Sequence, residues 1–258
     1  KMLSKTYPYT ILITEDDDEV RCFLERELSP HFKTRTAANG KDALRVLEEE
    51  EISLVVSDVM MPEMNGFELC RMIKSQLPFS HIPVILLTAL TDERQRIFGI
   101  TGGADDYIQK PFHTDYVKIK IIHLLQERRK LRERLLEKLR DNKLLLSEPE
   151  KVESIDDAFL RKFAEQIEAV YADPEYNVEK LSETLGLSRG HLHRKIKELT
   201  GTSPVEFLRT YRLNKATQLL RQNAYTVSEV AYRTGFSSPA YFSKCFKAVY
   251  GVTPTEYQ

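Results

Sequence analysis

The run Val55-Val56-Ser57-Asp58-Val59-Met60-Met61-Pro62 constrains this chain more than any other stretch. Apolar residues and a serine lead into an aspartate, and Pro62 and Gly66 then end the extended segment. A buried strand so delivers one carboxylate to its own C-terminal edge. In open α/β sheets that edge is where ligands bind, because the loops beyond it form a crevice. An Asp after a strand is more often a turn former or a helix cap. The residues that accompany Asp58 decide between the two.

Thr10-Ile11-Leu12-Ile13-Thr14 is a first β-rich run and ends at Glu15-Asp16-Asp17-Asp18. A helix with Val20, Phe23, Leu24 and Leu28 on one side follows, then a weak strand near Lys33 to Ala37, a turn at Asn39-Gly40 and a helix bearing Ala43, Leu44 and Leu47. After the Asp58 strand come a helix from about Gly66 to Ser75, a strand over Ile82 to Thr88, another helix, and a strand at Asp106 to Lys110. Strands alternating with helices predict a parallel sheet with helices on both faces. Right-handed crossovers bring the C-terminal strand ends to one edge. Glu15, Asp16, Asp58, Thr88 and Lys110 all fall there. Three carboxylates pressed together repel unless a cation joins them, and clustered oxygen ligands suit Mg²⁺.

Glu15-Asp16, Asp58 with Met61-Pro62 and Gly66, Leu87-Thr88-Ala89, and Gly103-Ala104-Asp105-Asp106-Tyr107 through Lys110-Pro111-Phe112 resemble the receiver domain of response regulators. The resemblance implies a flavodoxin-like five-stranded fold in which Asp58 accepts a phosphoryl group from a phosphohistidine. It implies Mg²⁺ held by Glu15, Asp16, Asp58 and the Met60 carbonyl, with Thr88 and Lys110 on the phosphoryl oxygens. Tyr107 is expected to change rotamer as Thr88 moves, and Pro111 to follow a cis bond. Glu15 stands where the family often has Asp. Apolar Met60 and Leu90, two residues after Asp58 and Thr88, offer no group to orient a hydrolytic water, so a long-lived phosphoryl group is expected.

The 258 residues, 41% hydrophobic and 30% charged, suffice for two cores. No apolar run approaches the roughly 20 residues of a membrane span, and the first residues lack the apolar core of a signal peptide. Cys22, Cys70 and Cys245 are scattered and odd in number. They fit neither a disulfide framework nor a zinc site, and a reducing cytoplasm is expected. The chain begins with Lys, which suggests a piece of something longer. Its net charge of −1 is divided unevenly: residues 186–258 hold eleven Lys and Arg against four Asp and Glu, net +7, leaving the rest at −8. Such asymmetry points to a nucleic-acid-binding end.

From about Thr114 to Leu146 there is no Gly or Pro, and Leu, Glu, Lys and Arg abound, which predicts a long helix. Ile121, Leu124, Leu131, Leu135 and Leu145 form an interrupted seam, with Arg128, Lys138 and Asn142 between them. A dimerising coiled coil and a solvated connector both remain open. Beyond Ser147-Glu148-Pro149-Glu150, Ala158 to Tyr171 reads as an amphipathic helix with core Phe159, Phe163, Ile167 and Val170. Val178–Leu185, Gly186-Leu187-Ser188 and Arg189–Leu199 make a helix-turn-helix with Ser188 as cap. The same order of parts recurs at Val227–Thr234, Gly235-Phe236-Ser237 and Ser238–Tyr250, and Gly251-Val252-Thr253-Pro254 echoes Gly201-Thr202-Ser203-Pro204. A helix from Pro204 to about Gln222 joins the units. Two such units can address successive major grooves about 34 Å apart.

Leu181 with Leu185-Gly186-Leu187-Ser188 and Leu192, Leu199-Thr200-Gly201 with Pro204, and Val230-Ala231 through Gly235-Phe236, Tyr241-Phe242 and Phe246-Lys247 resemble the AraC-type DNA-binding domain. By that resemblance Arg189, Gly190, His193 and Arg194 lie on the groove face of the first recognition helix, and Ser238, Ala240, Tyr241 and Lys244 on that of the second. Lys197, Arg209, Arg212 and Lys247 read as phosphate contacts or solvated surface. His191 and His193 lack partners at metal-ligand spacing.

The expected division is a receiver at 8–125, a helical connector at 126–156 and an AraC-type domain at 157–258, α/β followed by all-α. The expected function is a transcription regulator that binds double-stranded DNA under control of a histidine kinase, as a homodimer when activated and without direct membrane contact. It is not an enzyme acting on outside substrates, since a phosphatase pocket would need a second acid/base residue. The alternative is the C-terminal cytoplasmic part of a hybrid two-component sensor, which Ser57 to Pro62 and Ser80 to Ala89 particularly resemble.

Overall fold

The computed structural model describes residues 6–89, 103–140 and 154–258. The chain divides into two compact units, Lys1–Leu131 and Arg132–Gln258.

In the first unit β1 (Thr10–Thr14), β2 (Lys33–Ala37), β3 (Leu54–Asp58), β4 (Val84–Thr88) and β5 (Asp106–Gln109) form one parallel sheet in the order β2-β1-β3-β4-β5. The helices are α1 (Asp18–Leu28), α2 (Gly40–Glu49), α3 (Gly66–Ser75) and α4 (Thr114–Arg140). The alternating side chains of the strands feed two cores. Ile11, Ile13, Val56, Ile85 and Leu87 pack with Leu24 and Leu28 of α1 and Val117, Ile121 and Leu125 of α4. Leu12, Val55, Val84 and Leu86 pack with Ala43 and Leu47 of α2 and Leu69 and Ile73 of α3. Both faces are covered, as the apolar strands require. The helix expected between β4 and β5 falls outside the described residues.

Two expectations are corrected here. Phe23 does not face the core: it is 42% exposed, with the Arg26 guanidinium 5.5 Å above its ring. Leu24 and Leu28, with Val20 packed partly buried beside them, fill that stripe. Ile121 and Leu124 belong to the receiver core rather than to a connector seam, because α4 lays its first turns against the sheet. The side chains of Leu135, Lys138, Asn142 and Leu145 lie outside the described residues.

The second unit contains α5 (Ile155–Val170), α6 (Val178–Thr184), α7 (Arg189–Thr200), α8 (Pro204–Arg221), α9 (Val227–Arg233), α10 (Pro239–Tyr250) and α11 (Pro254–Tyr257). α5 begins three residues earlier than expected. Ser154 accepts from the Asp157 amide and Asp157 reaches back, so the acidic lead-in is the first turn of the helix. The repeated punctuation has a physical basis. Gly201 and Gly251 end α7 and α10 at φ 77° and 79°, a left-handed conformation that only glycine adopts without strain. Ser203 with Glu206 and Thr253 with Glu256 then close matching capping boxes around Pro204 and Pro254. Phe163 of α5 meets Phe207 of α8 edge to face at 4.8 Å, while Leu213, Ala216 and Leu220 of α8 pack with Val230, Phe242 and Phe246. Phe159 and Phe163 are core, as their spacing indicated.

Candidate functional site

At the C-terminal edge of the first sheet the acidic run Glu15 to Asp18 is divided by local structure. Asp17 caps α1, accepting from the amides of Glu19 at 2.8 Å and Val20 at 3.1 Å, and Asp18 pairs with Arg21. Glu15 and Asp16 are left for the pocket. Arg21, which the sequence did not single out, donates to the Glu15 carbonyl at 2.7 Å and fixes this turn. Glu15 is 2% exposed and Asp58 is 7% exposed. Ligand oxygens of Glu15, Asp16 and Asp58 all lie within 4.8 Å of one another.

Lys110, just past β5, answers them. Its Nζ donates to Glu15 Oε2 at 2.9 Å and sits 2.9 Å from Asp58 Oδ1. Burial pulls the Lys110 pKa down, but its hydrogen bonds to the Asp58 and Glu15 carboxylates, together with their charges, outweigh it and leave the ammonium above its ordinary range. Burial raises the Glu15 carboxyl, helped by the Asp58 and Asp16 charges, against the lowering pull of Lys110. Among the described residues, the group of three carboxylates thus has two of its members paired with one ammonium. A hard, oxygen-only donor set with negative charge in excess fits a divalent cation such as Mg²⁺.

The backbone around Asp58 is held closely. Its carbonyl accepts from Ser57 Oγ at 2.8 Å, the Val59 amide donates to the Leu87 carbonyl at 3.0 Å, and the Gly66 amide donates to the Val59 carbonyl at 3.0 Å. Asp58 and Leu87 are register partners, as are Thr88 and Gln109, so Thr88 ends the strand beside Asp58. The Lys110 amide donates to the Thr88 carbonyl at 2.7 Å, which ties the β4 and β5 ends together. The Lys110-Pro111 bond is cis, as the resemblance implied. Met60 is 66% exposed, and Leu90 lies outside the described residues. The Tyr107 hydroxyl is buried with no hydrogen-bond partner among the described residues. Burial, with Cys70 and Asp105 nearby, pushes it up to about 12.

In the second unit α7 and α10 each have an apolar and a polar side. Leu192 and Ile196 of α7, and Phe242 and Phe246 of α10, are buried. Arg189, Gly190, His193 and Lys197 are exposed on α7, and Ala240, Tyr241, Lys244 and Lys247 on α10. Arg194 and Arg209 are half-buried. Arg189 pairs with Glu179 of α6 at 2.6 Å. Ser188 and Ser238 are the N-caps of the two helices, and the Ser238 hydroxyl accepts from the Tyr241 amide. Arg212 departs from the expectation of a phosphate contact or solvated surface. Its Nε donates to the Tyr171 carbonyl and its Nη2 to the Asp173 carbonyl, each at 2.7 Å, and burial lowers its pKa. It ties the end of α5 to α8.

The response regulator receiver domain family matches residues 11–122 and the helix-turn-helix domain family residues 181–258. The chain is 39% identical over 249 residues to Histidine kinase P4 of Formosa agariphila, covering 96% of this chain and 18% of that protein. It is 43% identical over 118 residues to the transcriptional regulatory protein GltR of Pseudomonas aeruginosa, 45% of this chain and 49% of that one. The receiver domain of a signal transduction histidine kinase from Syntrophus aciditrophicus is 38% identical, with a TM-score of 0.44 over 46% of this chain and 91% of that one. The chain therefore spans half or less of these curated relatives' length. Among the described residues no helix is long and apolar enough to cross a membrane. The chain thus carries a response regulator receiver domain over residues 11–122, followed in sequence by an AraC-type helix-turn-helix domain over residues 181–258.

Proposed function

We propose that this transcription regulator binds double-stranded DNA under control of phosphorylation at Asp58, with a histidine kinase as donor. The observation that carries the reading is Lys110 bridging Glu15 and Asp58 at 2.9 Å each, at the edge where Asp16 completes the acidic group. An Asp58 carboxylate oxygen forms a bond to phosphorus while the bond from phosphorus to the donor imidazole nitrogen breaks, and the nitrogen leaves with the electron pair. Phosphoryl transfer needs positioning and charge neutralisation above all. The Glu15, Asp16 and Asp58 carboxylates and the Met60 carbonyl would hold Mg²⁺, which when bound would supply charge against the phosphoryl oxygens. The Lys110 ammonium and the Thr88 hydroxyl bind those oxygens. Because the Lys110 amide holds the Thr88 carbonyl, the ends of β4 and β5 move together, and Tyr107 on β5 follows from its buried position.

His193 and Arg194 on α7 carry base reading, and Tyr241 and Lys244 on α10 hold the second groove, with Arg189 and Ser238 at the helix starts. Lys197, Arg209 and Lys247 contact phosphates, whereas Arg212 holds the domain together. The active species is a homodimer in the cytoplasm.

Treatment with acetyl phosphate and Mg²⁺, followed by intact-mass spectrometry, is expected to add one phosphoryl group to the parent and none to Asp58→Ala. Continued labelling of that variant refutes the assignment. A second reading is favoured by the match of 96% of this chain to 18% of a histidine kinase. In it the chain is the C-terminal, output portion of a hybrid sensor and receives its phosphoryl group from a kinase core on the same polypeptide. An in-frame kinase core upstream of Lys1 distinguishes the two.

A further inference from the structure

α7 buries a charge among its apolar residues. Lys195 lies between Leu192 and Ile196 on the inner side, and its side chain has no exposed surface. Its Nζ is 2.6 Å from Asp156 Oδ1 and 5.1 Å from the centroid of the Phe159 ring. Asp156 and Phe159 are three residues apart in the first turns of α5, so one stretch of that helix offers both an anion and an aromatic face. Asp156 keeps about a fifth of its side chain in solvent.

Stability alone is a poor reason for such a pair. Replacing a buried ion pair by apolar residues of similar volume is often neutral or favourable, while removing one partner strands the other charge. What the pair adds is direction. Contacts of Leu192 and Ile196 are non-directional and tolerate some rotation of α7 about its axis, whereas an ammonium held at 2.6 Å by a carboxylate does not. Side chains next to Lys195 on the helix move with that rotation. We propose that Lys195, gripped by Asp156 and Phe159, is a positioning residue that sets the rotation of α7 and so aims His193 and Arg194. The role rests on the DNA-reading proposal above.

The test uses the full chain and three variants, Lys195→Met, Asp156→Asn and the double variant. Asp156→Asn removes the carboxylate charge 2.6 Å from the lysine and is expected to unfold at lower denaturant. The double variant is expected to unfold at the parent's midpoint or above. Selection from a pool of randomised duplexes defines the parent's preferred bases. In Lys195→Met and the double variant, preference at the position read by α7 is expected to fall about tenfold, with the slope of log K against log salt unchanged. Recovered stability without recovered preference is a split that a merely structural role does not give. A double variant with the parent's preference overturns the proposal. Hydrogen exchange gives a reading independent of DNA: α7 amides are expected to exchange faster in the double variant, with α10 amides unchanged. Equal α7 exchange overturns the proposal as well. A parent with no duplex preference refutes DNA reading instead, and leaves α7 exchange to decide the role of Lys195.

Discussion

Gly66→Ala tests how closely the Asp58 backbone is held. A Cβ built at Gly66 would lie 2.1 Å from the Asp58 carbonyl oxygen and 3.0 Å from both the Asp58 carbonyl carbon and Val59 Cα. Ordinary carbon–oxygen contacts are about 3.3 Å or longer, so something must give by about 1.2 Å. All three obstructing atoms are backbone, and none can rotate away. The Asp58 carbonyl is also engaged by Ser57 Oγ, and the Gly66 amide by the Val59 carbonyl. The first turn of α3 and the end of β3 must therefore separate, which moves Asp58 relative to Lys110. Overpacking of this kind costs about 1–3 kcal/mol. A displacement of about 1 Å at a reacting group can slow its reaction about 100-fold. The assay is a urea titration followed by methyl resonances of the receiver core, paired with the rate of acetyl-phosphate labelling by intact mass. Gly190→Ala is the control, because its added Cβ meets nothing within 4 Å. If Gly66→Ala keeps both the parent's midpoint and its labelling rate, the close approach does not constrain Asp58 and the reasoning fails.

Arg212→Met removes the donors to the Tyr171 and Asp173 carbonyls and is expected to destabilise the second unit by about 1–3 kcal/mol. The salt slope of DNA binding should stay unchanged; a slope lower by about 1 would return Arg212 to the phosphate contacts. Glu206, Glu229 and Glu256 have carboxyls held below their ordinary range by the backbone amides of Ser203, Thr226 and Thr253, with each cap hydroxyl adding to it. A lowered folded-state value means that the contribution of each cap is complete above the ordinary carboxylate range and fades as pH falls through the depressed value. Far-UV circular dichroism is expected to show the acid loss of helix in the second unit shifted upward in pH in Glu206→Ala, and an unchanged acid midpoint counts against the cap.

The receiver was legible because parallel strands covered on both faces must be nearly continuous apolar runs. β3 and β4 are such runs, and their ends place Asp58 and Thr88. Glu15, Asp16 and Lys110 followed from strand order alone, since topology sends every strand end to one edge. Phe23 was misread because periodicity marks a side of a helix without stating how wide the buried stripe is. Ile121 was assigned to a connector seam because a helix that leaves a domain keeps its spacing while its partner changes. Nothing in the residues from 114 onward marks where the sheet stops being that partner.

The second unit makes the same point through its internal repeat. Both α7 and α10 run twelve residues from a Ser cap to a left-handed Gly, and that local chemistry recurs in the sequence for anyone to read. The forces holding each helix from behind do not recur. Counted from the caps Ser188 and Ser238, Leu192 and Ile196 correspond to Phe242 and Phe246, but Lys195 corresponds to Cys245. In the first helix-turn-helix the grip is an ion pair to Asp156, 39 residues away. In the second it is aromatic: Phe246 lies 4.6 Å from Tyr250 and 5.3 Å from Tyr257, Tyr250 donates to Asn214 at 2.6 Å, and Arg221 donates to the Tyr257 hydroxyl at 2.7 Å. A lysine in an amphipathic pattern is assigned to solvent unless its distant partner is known, and an arginine that serves backbone carbonyls, as Arg212 does, has no partner that a sequence could display. Caps are local and repeat with the motif. Long-range polar contacts are set by which helices meet, and they are where two helix-turn-helix motifs built from one pattern become different in packing.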